Sequence, residues 1–254
     1  MFTAVVTSLM ESWLATTDIG LKLTKTFKGN ILLIGGGSNE ITKQLCESLL
    51  NFAPESKIYH FNHGNQTHLG EKYIKNGYKY IRCNLSHANG FTNAINILNK
   101  QEEVGSIQFD YFINSTLLTP SPKRNLFLNA NVFQGRFNES LINIMKAMKY
   151  VLETHPTGNV YMINFSIPYT ADLSYQKIDY LVCSNSINQF HDSLSSEIEG
   201  KCLLIYLPTT RTNHLPINKI MKCLKEGCNG EYHIKSPGIN SIFNETFELL
   251  HDWV

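Results

Sequence analysis

From Asn30 onward, short apolar runs alternate with longer segments of helical periodicity, and this alternation restricts the fold more than any other feature. The first run, Asn30–Ile34, reads NILLI, and Ile41–Phe52 follows with apolar residues at i, i+3 and i+4. Continuous apolar runs are typical of strands that are buried on both faces, and strands separated by helices form parallel βαβ units. The pattern therefore predicts a parallel sheet covered by helices.

Seven strands are expected, with helices between them and at the end. The predicted strands are Asn30–Ile34, Lys57–Phe61, Tyr78–Cys83, Phe109–Asn114, Asn159–Asn164, Lys201–Leu207 and Glu231–Ile234. The predicted helices after Ile41–Phe52 are Ala88–Lys100, Phe137–His155, Tyr180–Glu199, Asn218–Lys225 and Ile239–Trp253. This order predicts a doubly wound, Rossmann-like α/β fold in one domain over residues 30–254, with residues 1–29 as an N-terminal helical extension. Right-handed crossovers place its ligand crevice at the carboxyl ends of the strands.

Composition excludes several classes of partner. The formal net charge is +1 over 254 residues, and no Lys/Arg-rich run is present, so neither nucleic acid nor an anionic membrane is expected to bind. The apolar segment Ala4–Leu14 contains Glu11 and is too short to span a bilayer. The six cysteines form no CxxC pair and no zinc pattern, which predicts a reduced cytoplasmic protein without a metal site.

Five short segments stand where predicted strands end or the following helices begin. In chain order they are Ile34–Thr42, Cys83–Leu85, Ile113–Thr116, Tyr180–Ser184 and Leu207–Thr212. Their order and spacing resemble the TGxxxGIG turn, the Asp-Val or Asp-Leu adenine contact, the NNAG, YxxxK and PGxxxT motifs of the short-chain dehydrogenase/reductase family. The resemblance covers about Asn30–Ile234 and implies a dinucleotide-binding oxidoreductase.

The resemblance also assigns a cofactor site, but two of its positions carry unsuitable residues. The implied cofactor residues are Gly35, Gly36, Gly37, Ser38, Asn84 and Asn114. The later two glycines of the first motif fall on Glu40 and Thr42, where side chains are expected to fill the space in which backbone and phosphate meet. A carboxylate about 4 Å from a phosphate costs on the order of 1–4 kcal/mol. We therefore expect no bound cofactor, and NAD(P) only if the protein is an active reductase.

Two neighbouring features fit the same expectation. Glu40 suits the first turn of a helix, where an acidic side chain stabilises the helix by roughly 0.3–1 kcal/mol when no anion competes. Asn62 follows the second strand, where an acid would hold an adenosine ribose or a basic residue a 2′-phosphate. His60 and His63 nearby are interpreted as packing or surface residues.

The catalytic positions are partly retained. The resemblance implies that Tyr180 exchanges a proton with the substrate, but Ser184 replaces the lysine that would depress the tyrosine pKa. A phenol with a pKa near 10 needs such a cation to act near neutrality, and a hydroxyl cannot supply the charge. Lys177 precedes Tyr180 by three residues and is either a replacement or an exposed loop residue.

The serine and asparagine positions of the family stay ambiguous. Ser166 lies fourteen residues before Tyr180, and the usual spacing of thirteen would select Ile167. Spacing to Ser166 favours Asn138 as the helix-borne asparagine, whereas the local phrase Asn131–Gly135 looks more like the motif. Asn138 is also suited to a capping role.

These residues leave three hypotheses. The first is a pseudoenzyme or partner subunit that has lost ordinary NAD(P)-dependent reduction. It would pair through Phe137–His155 and Tyr180–Glu199 as a homodimer or as a heteromer with an active relative. The second is an atypical NAD(P)-dependent carbonyl or ketoacyl reductase that uses Tyr180 on a small-molecule or acyl substrate. The third is a cofactor-free isomerase or dehydratase.

Overall fold

The structure is a computed structural model that describes residues 28–35, 40–52, 54–63, 77–116, 130–157, 160–166, 178–198, 202–206 and 230–233. Its first strand, β1 (Asn30–Gly35), shows why the chain folds as it does. Ile31, Leu32, Leu33 and Ile34 are all fully buried, so both faces of the strand are covered. An apolar run without alternation is stable only in such a central position.

Seven strands of the described chain form one sheet, and every pairing is parallel. After β1 they are β2 (Lys57–Asn62), β3 (Tyr78–Arg82), β4 (Tyr111–Ser115), β5 (Tyr161–Ser166), β6 (Cys202–Tyr206) and β7 (Gly230–His233). Their order is β3-β2-β1-β4-β5-β6-β7, the doubly wound arrangement with its switch between β1 and β4. The predicted Rossmann-like fold is confirmed, with strand boundaries displaced by one or two residues.

Helices connect these strands. They are α1 (Glu40–Phe52), α2 (Gly90–Gln101), α3 (Ala130–Phe137), α4 (Asn143–Thr154) and α5 (Ile178–Glu197). A π-helical segment, Asn138–Ile142, joins α3 to α4. The helix predicted as Phe137–His155 thus begins earlier and contains a π-helical interruption, which a search for 3.6-residue periodicity does not detect.

Aromatic side chains fill the space between the sheet and the helices α2 and α4. The rings of Tyr59 and Phe109 meet edge to face at 5.5 Å, and Phe61 and Phe91 lie 5.4 Å apart. Tyr150 of α4 contacts the ring of Phe91 at 6.0 Å. Edge-to-face and tilted pairs are the favoured geometries of aromatic contacts, so these side chains fix α2 and α4 on one side of the sheet.

Several predicted features lie outside the described residues. They are the extension over residues 1–27, the glycine-turn residues 36–39, the motif segment 207–212, and the helices 218–225 and 239–253. In the part that the structure describes, no helix is both long and apolar enough to cross a membrane. Cys46, Cys83, Cys183 and Cys202 are buried, and none of these four is part of a disulfide.

Candidate functional site

The carboxyl ends of β1, β4 and β5 lie side by side and bring the predicted motif residues together. Gly35 pairs with Ser115, and Asn114 pairs with Asn164. Ser166 is the last residue of β5 and is buried. Because all strands run in the same direction, residues far apart in sequence meet at this edge, where ligands bind in doubly wound folds.

Gly35 permits a close contact between β1 and α1. A Cβ atom at this position would stand 2.1 Å from Ser115 Oγ and 2.8 Å from Thr42 Oγ1. Those hydroxyls lie 2.9 Å apart, and Ser115 Oγ also donates to the Ile34 carbonyl at 3.2 Å. Thr42 and Ser115 are fully buried. The absent side chain of Gly35 therefore leaves the room that two hydroxyl side chains occupy.

This contact changes the interpretation of Thr42. The motifs given above carry threonine at position 35, glycine at 42 and alanine at 115, whereas this chain has glycine, threonine and serine. The small residue and the hydroxyl have exchanged places across the same contact. The expectation was that Thr42 fills the phosphate space, but its side chain lies in the helix–sheet contact, where the third glycine of such turns serves packing.

His60 of β2 supports the end of β1 from the other side. Its Nε2 donates to the Gly35 carbonyl at 3.2 Å, and Tyr78 donates its hydroxyl to Nδ1 at 2.7 Å. Burial lowers the pKa of His60 from 6.5 to about 4, against the opposing effect of the hydrogen bond to Gly35. The Cys46 thiol lies 4.0 Å from Nδ1, and burial, with the nearby Glu47, raises its pKa. This group is a buried packing cluster, as expected for His60, and the raised pKa of Cys46 favours its protonated thiol over the reactive thiolate.

Asn84, the predicted adenine-contact residue, is used within its own loop. Its side-chain oxygen accepts from Ser86 N at 3.2 Å and from Ser86 Oγ at 2.7 Å. The backbone of the same residue lies against the start of α2, because a Cβ at Gly90 would stand 2.0 Å from the Asn84 carbonyl oxygen. A glycine at that position is therefore required to keep the loop folded onto α2.

The π-helical segment is attached to this loop by two asparagines. Asn138 is buried and donates its side-chain amide to the Ser86 carbonyl at 2.9 Å. Asn143 Nδ2 lies 2.7 Å from the Leu85 carbonyl and 3.1 Å from that of Asn138. The wider turn places both asparagines against the loop between β3 and α2. Asn131, the alternative family asparagine, is exposed on α3.

A buried hydrogen-bond chain crosses from β4 to α5. Asn114 accepts from the backbone amide of Thr116 at 3.1 Å and donates to Asn164 at 3.1 Å. Asn164 in turn contacts His191 Nδ1 at 3.1 Å. Sequence reasoning missed Asn164 and His191. The available signals were an asparagine within a buried strand and a histidine in line with the buried Cys183, Ile187 and Leu194 of α5.

Only the backbone places the predicted catalytic residues on α5. Tyr180 lies in the first turn of α5, and Ser184 lies one turn later. Their side chains, on which the predicted roles depend, lie outside the part of the chain that the structure describes, and so do Gly36, Gly37, Ser38 and Lys177. Within the described chain no cluster of three or more His, Cys, Asp or Glu is arranged to hold a metal ion.

One acidic side chain within the π-helical segment has a shifted pKa. Burial raises the pKa of Glu139, and the charges of Arg136 and His63 oppose the shift. His63 follows β2 and is exposed, as expected for a surface residue. Acidic and basic side chains therefore lie close enough here to influence one another.

Comparison with known proteins shows the fold. No protein-family model matches the chain, and the search of curated proteins finds no match. A short-chain dehydrogenase/reductase from Saccharomyces cerevisiae is 16% identical, with a TM-score of 0.57 over 81% of this chain and 85% of that one. An NADH-dependent reductase complexed with NAD is 11% identical, with a TM-score of 0.65 over 83% and 98%. A metagenomic short-chain oxidoreductase in complex with NADP is 12% identical, with a TM-score of 0.62 over 84% and 100%. The chain has the fold of the short-chain dehydrogenases/reductases.

The exchange at positions 35, 42 and 115 predicts strong coupling between the three sites. Gly35→Thr alone overlaps Ser115 Oγ and is expected to cost about 1–3 kcal/mol of unfolding free energy. Thr42→Gly alone removes a buried hydrogen bond and puts glycine in a helix. It is expected to lower the free energy of unfolding by about 2–3 kcal/mol. The triple variant with Ser115→Ala should lose less than the sum of the single losses, by about 1–3 kcal/mol. Urea unfolding measures these values, and simple additivity would contradict the exchange.

The lowered pKa of His60 predicts acid sensitivity. Between pH 6.5 and pH 4 the unfolded chain binds a proton at this histidine and the folded chain does not, so stability falls as the pH falls. The loss due to His60 should reach about 3 kcal/mol. His60→Gln should remove this part of the pH dependence, whereas His63→Gln on the exposed neighbour should retain it. Urea unfolding across this pH range gives the measurement; an unchanged pH dependence in His60→Gln would refute the assignment.

Proposed function

We propose that this chain is a non-reducing protein with the short-chain dehydrogenase/reductase fold, and that it acts as a partner subunit. In this proposal the crevice at the ends of β1, β4 and β5 has lost its affinity for NAD(P). The fold is retained because its polar residues serve internal contacts. The single observation that carries the proposal is the use of these residues inside the protein.

Three of the crevice side chains at the family's motif positions have protein partners. Asn84 is hydrogen-bonded to Ser86 of its own loop, and Asn138 to the carbonyl of the same serine. Asn114 is hydrogen-bonded to Asn164. A polar group that gives up such a bond to a ligand loses free energy unless the ligand replaces it, and the loss is largest for a buried group such as Asn114. These side chains therefore favour a structural role over dinucleotide binding.

The charges of the motif positions support the same proposal. Glu40 begins α1, where the phosphate of a dinucleotide would meet the amides of a helix N-terminus. Ser184 stands where the family has the lysine that activates its tyrosine. A carboxylate opposes the phosphate, and without a neighbouring cation a phenol stays protonated near pH 7.

The alternative is an atypical NAD(P)-dependent reductase. It is favoured by the NAD and NADP complexes of the two similar proteins described above, and by Ser166 at the end of β5. Tyr180 would then be its acid, and a small carbonyl compound or acyl chain its substrate.

A partner subunit needs a surface on which to pair, and we propose the outer faces of α4 and α5. Met145 and Val182 on these helices expose 38% and 39% of their area. A second copy of this chain or a related subunit would cover them. Buried cysteines outside any disulfide, such as Cys46 and Cys83, agree with a proposed cytoplasmic location.

Cofactor titration tests the proposal. NADH and NADPH should produce no saturable heat in calorimetry and no rise in thermal stability. A ligand at 100 times its Kd stabilises a protein by about 2.7 kcal/mol, so micromolar binding would be evident. Micromolar binding by the wild type would overturn the proposal. Ketone reduction that disappears in Tyr180→Phe would establish the alternative.

A variant with the family pattern restored separates loss of charge from loss of packing. Gly35→Thr, Thr42→Gly and Ser115→Ala restore the packing, while Glu40→Gly and Ser184→Lys restore the charges. The five changes together should create dinucleotide binding. A matched control with the three packing changes alone should not bind, because Glu40 remains. Equal affinity of both variants would contradict the role given to Glu40.

Pairing is tested by sedimentation. If α4 and α5 form the interface, Met145→Glu and Val182→Glu should convert a dimer into monomers, because each buries a charge at the contact. Ile97→Glu on α2 is the matched control, since Ile97 is more exposed, at 57%, and belongs to neither α4 nor α5. Dissociation by Ile97→Glu, or persistence of the dimer in both test variants, would argue against this interface.

A further inference from the structure

The hydrogen-bond chain from β4 to α5 connects the crevice edge to the helix that begins at Ile178. It consists of Asn114, Asn164 and His191, which expose 1%, 0% and 2% of their area. The contacts from Thr116 to Asn114, from Asn114 to Asn164 and from Asn164 to His191 are each 3.1 Å long. Such a chain is stable in the interior because each member satisfies the next.

The backbone amide of Thr116 determines the direction of each hydrogen bond in this series. The amide of Thr116 can only donate, so the Asn114 atom that it contacts is the side-chain oxygen. Asn114 must then donate its Nδ2 to Asn164 Oδ1, and Asn164 donates its own Nδ2 to His191 Nδ1. The last atom of the chain therefore accepts a hydrogen bond, which only a neutral imidazole with its proton on Nε2 provides.

The position of His191 on α5 gives the chain a mechanical consequence. Ile187 and Leu194 pack one turn to either side of it, and both are buried apolar residues. Apolar contacts are non-directional and tolerate small displacements along a helix, whereas a hydrogen bond weakens steeply when its angle or length changes. The contact between Asn164 and His191 therefore restricts sliding and rotation of α5 on β5.

We infer that His191 is a positioning residue that fixes the first turn of α5, which contains Tyr180, against the carboxyl edge of β4 and β5. Tyr180 precedes His191 by eleven residues, or about 16 Å of helix at about 1.5 Å per residue. A helix transmits a displacement of this kind as a rigid element. The inference concerns the placement of Tyr180 and holds whether or not the protein binds NAD(P).

Amide NMR of the full chain tests the inference with two substitutions of the same histidine. His191→Phe removes the acceptor and retains a ring, whereas His191→Asn puts an amide oxygen near the former Nδ1. His191→Phe should change the amide chemical shifts of residues 178–182, in the first turn of α5. In His191→Asn these chemical shifts should return towards their wild-type values. Leu194→Ala is the matched control, because it removes buried apolar contact on the same helix without touching the chain.

Each outcome decides the question. The inference is supported if His191→Phe changes the first-turn amide chemical shifts more than Leu194→Ala does and if His191→Asn restores them. Undisturbed first-turn amides in His191→Phe, or equal displacement by Leu194→Ala, would overturn it. If His191→Phe does not fold, the nitrogen shifts of the wild-type imidazole decide. A neutral His191 ring with its proton on Nε2 supports the hydrogen bond from Asn164 and with it the inference. A ring that is charged or carries its proton on Nδ1 refutes both.

Discussion

The close approach of α1 to the end of β1 is the constraint on which the candidate site depends. Helix and strand approach closely because Gly35 lacks a side chain and because Thr42 and Ser115 bond to each other in the space above it. The same glycine presents its carbonyl to His60, so one residue receives support from α1, β2 and β4. The start of α1, at Glu40, is therefore attached to a rigid edge of the sheet.

Away from β1, asparagine side chains rather than charged groups organise the same edge. Asn138 and Asn143 hold the loop after β3 against the π-helical segment, Asn84 bonds within that loop, and Asn114 with Asn164 connects β4 to β5. An asparagine both donates and accepts without carrying charge, so it satisfies backbone groups in the interior at a smaller desolvation cost than a carboxylate. The polar groups at this edge are therefore satisfied largely by one another.

The sequence predicts the architecture well because burial on both faces of a parallel sheet leaves a strong pattern. Asn30–Gly35 and Tyr161–Ser166 are apolar runs of this kind, and both lie within two residues of their predicted bounds. Contacts between residues distant in sequence leave no such pattern. His191 interrupts an apolar helix face with a single polar residue, and its partner Asn164 lies 27 positions away. The π-helical segment at Asn138 depends on Asn143 and on the loop at Leu85, so helical periodicity alone does not predict it.

Position-by-position comparison with a motif is least reliable where residues change together. Taken alone, Thr42 in place of glycine counts against a dinucleotide site, but Gly35 and Ser115 compensate for it in the structure. Such a compensated contact is a change in packing and says little about ligand binding. Glu40 and Ser184 are different. Glu40 would add a negative charge beside a phosphate, and Ser184 lacks the positive charge that the family's lysine provides beside the phenol. Changes in packing cannot compensate for either change in charge. Within the altered turn, the physical case against dinucleotide reduction therefore rests on Glu40 and not on Thr42, and Ser184 adds to it beside Tyr180.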